Sequence, residues 1–220
     1  MQFSFDLISD LHVETWSSFD WAGQATSPYC VVAGDVARDP EILAETLEHL
    51  GRCYLNVFYI DGNEEHKFYL ENLGSSYRGL DNLLDNIPNV VYMQDNVVII
   101  NGVAILATNG WYSFDMDTSL DFNQSQDWMC DRYGVISDVA DSITSLAFND
   151  ATYMVNSMRK LQTHQDVKKI VCVTHTVPAS WLTSHDIDLV DTWRFNGMGN
   201  SHITRAIDED TEHKIKAWCF

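Results

Sequence analysis

The sequence predicts an α/β fold, and three observations carry that expectation. Short apolar runs alternate with longer stretches at helical spacing, most of the short runs are apolar throughout, and an Asn-Gly pair joins two of them. The strand candidates are residues 3–8, 29–33, 54–60, 90–93, 97–100, 103–107, 170–173 and 215–219. Asn101-Gly102 separates VVII from VAILA, and both residues tolerate positive φ, so the pair predicts a two-residue antiparallel hairpin. The sheet is therefore mixed. Helices are expected over 40–50, with Asp39 as N-cap and Pro40 in the first position, over 77–86, and over 137–162, either whole or split in two at Asn149-Asp150. No repeat or Pro/Gly/Ser linker divides residues 1–220, which predicts one domain.

Composition narrows the function. With 45% apolar residues among 220, the chain can fill a sizeable core, which argues against disorder. Thirteen basic against 32 acidic residues leave a net charge of −19, a surface that repels phosphate backbones, so nucleic acid is disfavoured as a partner. No apolar run approaches the roughly 18 residues of a membrane span, and no signal-peptide pattern opens the chain, so no membrane partner and a cytoplasmic location are expected. Five scattered cysteines lack any C-x-x-C and read as small hydrophobes.

The informative residues stand where strands stop. The first strand leads into Ser9-Asp10-Leu11-His12, the second into Gly34-Asp35, the third into Asp61-Gly62-Asn63, and the run 171–173 into Thr174-His175. Loops beyond strand carboxyl ends converge on one crevice in α/β sheets, so Asp10, His12, Asp35, Asn63 and His175 are expected to meet there. Oxygen and imidazole donors without thiolate suit Mn, Fe, Zn or Ni, and a carboxylate between two ions can bridge them. Two divalent metal ions are the expected cofactors. Glu14 and Asp61 are candidates to orient ligands, or else solvated acids.

In order and spacing, Asp10-Leu11-His12, Gly34-Asp35, Gly62-Asn63 and His175, with the flanks SDLHVE, VVAGD and THTVP, resemble the calcineurin-like metallophosphoesterase superfamily, in particular its single-domain bacterial and phage-type members. The resemblance implies a central mixed β-sandwich flanked by helices. It also implies that Asp10 and His12 bind one metal, Asn63 and His175 the other, and that Asp35 bridges them. A hydroxide held between the metals would then cleave a phosphomonoester or phosphodiester of a small molecule or nucleotide.

Two departures qualify the resemblance. Where the family has a histidine after Gly-Asn, which assists the leaving oxygen, this chain has Glu64, followed by Glu65 and His66, so Glu64 and His66 are the catalytic candidates there. Either His66 swings into that role or it is an exposed helix-start residue. The closing G-H-x-H is also absent, since Gly199-Asn200-Ser201-His202 follows a loop and not a strand. The run 214–220 looks like the strand that precedes that motif in relatives, so the expectation is a chain that stops just short of two further histidines. The alternative function is a degenerate, non-catalytic member of the same fold that binds phosphate or a partner. Trp181, Trp193 and Phe195 after His175 are candidates for a substrate wall.

Overall fold

The structure, a computed structural model, describes residues 3–116, 121–133, 137–182 and 196–220, with backbone alone at 68–71, 128–133 and 137–140. Its strands form two four-stranded sheets. The first holds β1 (Phe5–Ile8), β2 (Tyr29–Ala33), β3 (Asn56–Ile60) and β4 (Val90–Tyr92), all parallel. The second holds β5 (Asn96–Ile100), β6 (Val103–Ala107), β7 (Lys169–Val173) and β8 (Ile215–Cys219), where only the β5–β6 pair is antiparallel. The hairpin forms at Asn101-Gly102, with φ of 50° and 81°, because both residues accept the left-handed region that a tight primed turn requires.

Period-two alternation sorts the strand residues into layers. Val31, Ala33, Phe58 and Ile60 of the first sheet pack in one buried cluster with Val103, Ile105, Ala107, Val171 and Val173 of the second. The alternate residues Cys30, Val32, Val57 and Tyr59 face α1 (Pro40–Cys53) and α2 (Leu73–Leu84) through Leu43, Leu47, Leu50, Leu80 and Leu84. Ala104, Leu106, Ile170 and Cys172 in turn meet Met154, Met158 and Leu161 of α4 (Ser137–Thr163), which follows α3 (Phe122–Tyr133). The central strands are thus covered on both faces, which is why they read as continuous apolar runs. Burial raises the thiol pKa of Cys30, Cys172 and Cys219, as suits small packed hydrophobes.

Asp39 caps α1 as expected, accepting from the amides of Glu41 and Ile42 at 2.9 and 3.2 Å. One helix start is corrected, and one open alternative is decided. Helix α2 starts at Leu73, not residue 77, because Asn72 caps it by accepting from the Ser75 amide at 3.0 Å. Helix α4 runs through Asn149-Asp150 unbroken because the Asp150 carboxylate turns into the core and does not compete for local backbone. It accepts from the amides of Gly110 and Trp111 at 2.8 and 3.0 Å and from Gln94 Nε2 at 3.2 Å. Among the described residues, no helix is long and apolar enough to cross a membrane.

Burial, and then Asp95, push the Asp150 carboxyl up to about 7. An acid whose folded pKa exceeds its unfolded value loses stability as pH rises between the two, here from the ordinary 3.8 to about 7. Asp150→Asn is therefore expected to flatten the stability profile over that window, removing a slope on the order of 1 kcal/mol per pH unit. Urea titrations of both proteins at pH 5 and pH 8 check this, and parallel profiles would contradict it.

Candidate metal centre

The centre assembles at the carboxyl ends of β1, β2, β3 and β7. The β1–β2 pairing continues beyond the strands, since the amides of Asp10 and His12 donate to the carbonyls of Gly34 and Asp35, each at 3.1 Å. Asp10, His12 and Asp35 sit at φ of 52°, 44° and 54°. Non-glycine residues rarely adopt that region, and such backbone strain concentrates at functional sites.

The structure brings the five expected ligands together. One ligand atom each from Asp10, Asp35 and His175 lies within 4.8 Å of the others. His175 Nε2 stands 3.4 Å from Asp35 Oδ1, His12 Nε2 stands 3.8 Å from Asp35 Oδ2, and Asn63 Oδ1 lies 3.2 Å from His175 Nε2. Asp35 thus presents one oxygen to each imidazole. Burial raises its pKa, and Asp10 and Glu64 add to that, while His175 opposes them. Burial alone would lower the pKa of His175, but Asp35 beside it lifts it above the ordinary value.

The donor set fits a cation. His175 Nδ1 lies 2.9 Å from the carbonyl oxygen of Ala33, which can only accept, so Nδ1 carries a proton, and in the neutral ring Nε2 turns a lone pair into the centre. That lone pair faces two oxygens, Asn63 Oδ1 and Asp35 Oδ1, and the Tyr112 hydroxyl already donates to the first. Acceptors aimed at one another this closely need positive charge between them, supplied by an ion or by a second proton on the ring.

Two glycines make the approach possible. A Cβ on Gly34 would lie 2.5 Å from His175 Nδ1, and one on Gly62 would lie 2.1 Å from Asp35 Oδ1 and 2.6 Å from the Asp35 amide. The Asp35 amide is backbone and the His175 ring is held by the Ala33 carbonyl, so neither contact is relieved by a free chain end alone. Gly62→Ala is expected to displace the Asp35 carboxylate and weaken divalent-ion affinity by about 10- to 100-fold while the fold persists. Calorimetric Mn²⁺ titration alongside circular dichroism tests this, and unchanged affinity would contradict it.

The two residues expected to act on the leaving group do not stand where that role needs them. His66 is fully buried, with Nε2 2.7 Å from Asp61 Oδ2, Nδ1 2.8 Å from Ser76 Oγ, and its ring against Tyr77 and Trp111. It faces the interior. Glu64 stays at the rim, where its amide donates to Asp35 Oδ1 at 2.9 Å, but its carboxylate is bonded to Arg38 Nε and lies 3.5 Å from Lys67 Nζ. Asp61 is wholly buried rather than solvated. Burial would raise its pKa, but hydrogen bonds from His66, Tyr92 and Asn109 hold it below the carboxylate range. Glu14 lies 4.0 Å from His12 Nδ1 and 3.7 Å from Arg38 Nε. Trp181 is largely exposed, while Trp193 and Phe195 lie outside the described residues.

Sequence reasoning missed the parts that hold the loops. Glu65 accepts from four backbone amides, those of Asp35, Val36, Ala37 and Gly62, at 3.1, 2.6, 3.2 and 2.7 Å. Its carboxylate ties the Gly-Asp loop to the Gly-Asn loop. Asn109 receives the His175 amide on its carbonyl at 2.9 Å, and its side chain donates to Asp61 Oδ2 at 2.7 Å. Arg38 carried no motif, and nothing in the sequence placed Tyr112 against Asn63.

Comparison with known proteins corrects the family assignment. No protein-family model matches the chain, and no curated protein matches it. Among solved structures the fold is similar to that of phosphopantetheinyl hydrolase (PptH) from Mycobacterium tuberculosis, with a TM-score of 0.69 at 18% identity, over 97% of this chain and 80% of that one. At that identity the likeness shows a shared α/β fold. The assignment to the calcineurin-like metallophosphoesterase superfamily is therefore withdrawn, and with it the expectation of two further histidines beyond Phe220. Its motifs were two- and three-residue matches, broken at Glu64 and lacking the last member.

Proposed function

We propose that this chain is a metal-dependent phosphoester hydrolase, with Asp10, His12, Asp35, Asn63 and His175 holding two divalent cations. The observation that carries the reading is the convergence of Asp10, Asp35 and His175 within 4.8 Å, with Nε2 of His175 facing the oxygens of Asn63 and Asp35. The name of the fold neighbour, a phosphopantetheinyl hydrolase, supports hydrolysis of a phosphoester. In this reading residues 1–220 form one domain, and the two sheets, with their common apolar layer, form a β-sandwich covered by helices.

When bound, the ions would supply Lewis acidity, lowering the pKa of a water and neutralising charge on the phosphoryl group. The chain's own residues do the positioning. Asp35 offers an oxygen on each side, toward His12 and toward His175, as a bridging carboxylate must. The Ala33 carbonyl fixes the His175 tautomer, and the Tyr112 hydroxyl orients Asn63 so that its carbonyl points inward. Glu65 keeps both loops in register. His66 acts as a brace between Asp61 and Ser76, not as a proton donor to substrate.

The test is hydrolysis of bis-(p-nitrophenyl) phosphate and p-nitrophenyl phosphate with Mn²⁺, by the chain and by Asp35→Asn. Activity in the first and its loss in the second support the reading, and equal background in both removes it. A second reading, a phosphate-binding protein without turnover, is favoured by Glu64, which stands where an imidazole would assist the leaving group and is engaged by Arg38 and Lys67. Stoichiometric metal and phosphate binding without hydrolysis of either ester would select it.

A further inference from the structure

We infer that the terminal nitrogens of Arg38 form the substrate-oxyanion subsite of this centre, and that they select phosphomonoester dianions over phosphodiesters. The inference rests on the proposed hydrolase reading and names its substrate class.

Arg38 is three residues beyond Asp35, and its base is fixed because the amides of Val36 and Ala37 just before it both donate to Glu65 Oε1. Its guanidinium is held along one edge only. Nε bonds Glu64 Oε2 and lies 3.7 Å from Glu14 Oε1, while Nη1 and Nη2 have no acceptor among the described residues. Both acids are tied to the centre, Glu64 through its amide on Asp35 Oδ1 and Glu14 beside His12.

A guanidinium anchored at Nε presents its two terminal N–H groups as a fork, the geometry that receives two oxygens of a phosphoryl group. The side chain is 42% exposed, so the fork is open to a ligand.

The surrounding charges show that the fork is surplus to the ion pair. Glu64 has a second cation, Lys67, 3.5 Å from its other oxygen, so its neutralisation does not consume the donors of Arg38. In a chain of 13 basic residues against 32 acidic ones, Arg38 and Lys67 both stand at this rim. A monoester carries one more negative charge and one more free oxygen than a diester. The fork has a partner in the first and loses that partner to an ester group in the second.

The experiment compares Mn²⁺-loaded wild type, Arg38→Gln, Glu64→Gln and the double variant on p-nitrophenyl phosphate and bis-(p-nitrophenyl) phosphate, with calorimetric binding of orthophosphate to each. Arg38→Gln is expected to lower kcat/KM for the monoester by about 10- to 100-fold, a charged hydrogen bond's share, with a parallel loss of orthophosphate affinity. The diester rate should fall less than about threefold. If Arg38 served only to neutralise Glu64, the double variant would recover the monoester rate, and that recovery would overturn the inference. Equal losses on both esters, or unchanged orthophosphate binding, would also overturn it. A wild type that takes up no Mn²⁺ fails the hydrolase reading itself, whereas one that loads Mn²⁺ and cleaves both esters without discrimination fails only the assignment of Arg38.

Discussion

Replacing Glu65 with alanine is expected to destabilise the chain by about 3–5 kcal/mol, lowering the melting temperature by roughly 10 °C in a protein of this size. The carboxylate is buried and is the acceptor for four backbone amides on two loops, so its removal leaves those donors without a partner and away from water. Burial, and then Asp35, push its pKa up to about 7, against the opposing pull of the Gly62 amide. Glu65→Gln keeps one acceptor oxygen but turns an NH₂ group toward donors, so it should recover only part of the loss. Differential scanning calorimetry of the three proteins measures the series. An alanine variant within about 1 kcal/mol of wild type would contradict the role of a loop tie.

Asp35→Asn is expected to reduce phosphoester hydrolysis by about 10³-fold or more and to remove one of the two cations, while leaving the fold intact. The carboxylate sits between His12 Nε2 and His175 Nε2, and an amide cannot offer two anionic oxygens to two ions. An amide also removes one of the buried negative charges that face Asp10 and Glu64, so the metal-free variant should be no less stable than wild type. Loss of activity with a preserved melting temperature is therefore the expected pair of results. Unchanged turnover would contradict the bridging role, and coincident loss of fold would assign Asp35 to stability.

Much of this was legible because strands covered on both faces write their burial into the sequence. The runs at 29–33, 103–107 and 215–219 match β2, β6 and β8 residue for residue, and the Asn-Gly turn formed where two positive φ values were needed. The convergence of the five candidate residues was legible for a related reason. Each stands just past the end of an apolar run, and chain direction alone gathers such ends on one edge.

What escaped depends on side-chain direction. Residues Glu64–Asn72 form a 3-10 helix whose opening, Glu64-Glu65-His66, has no apolar period to announce it. Each step along such a helix turns a side chain by about 120°, so two steps carry His66 to a different face from Glu64. Glu64 remains at the rim and His66 enters the core against Tyr77 and Trp111. A histidine two positions late is therefore not a shifted substitute. The N-cap at Asn72 was similarly hidden, since a lone asparagine looks alike in a loop and at a helix start. The family resemblance failed for a different cause. Dipeptides such as Gly-Asp and Gly-Asn mark strand-end turns in many α/β chains, so they locate a site better than they identify a lineage.

The central claim is that Asp10, His12, Asp35, Asn63 and His175 together bind a pair of divalent cations. The direct measurement is metal content by inductively coupled plasma mass spectrometry, after loading with Mn²⁺ and removal of free ion, on wild type and on Asp35→Asn and His175→Ala. Two ions per chain in wild type and at most one in either variant is the expected result. Less than one ion per wild-type chain, or the same content in all three proteins, would contradict it.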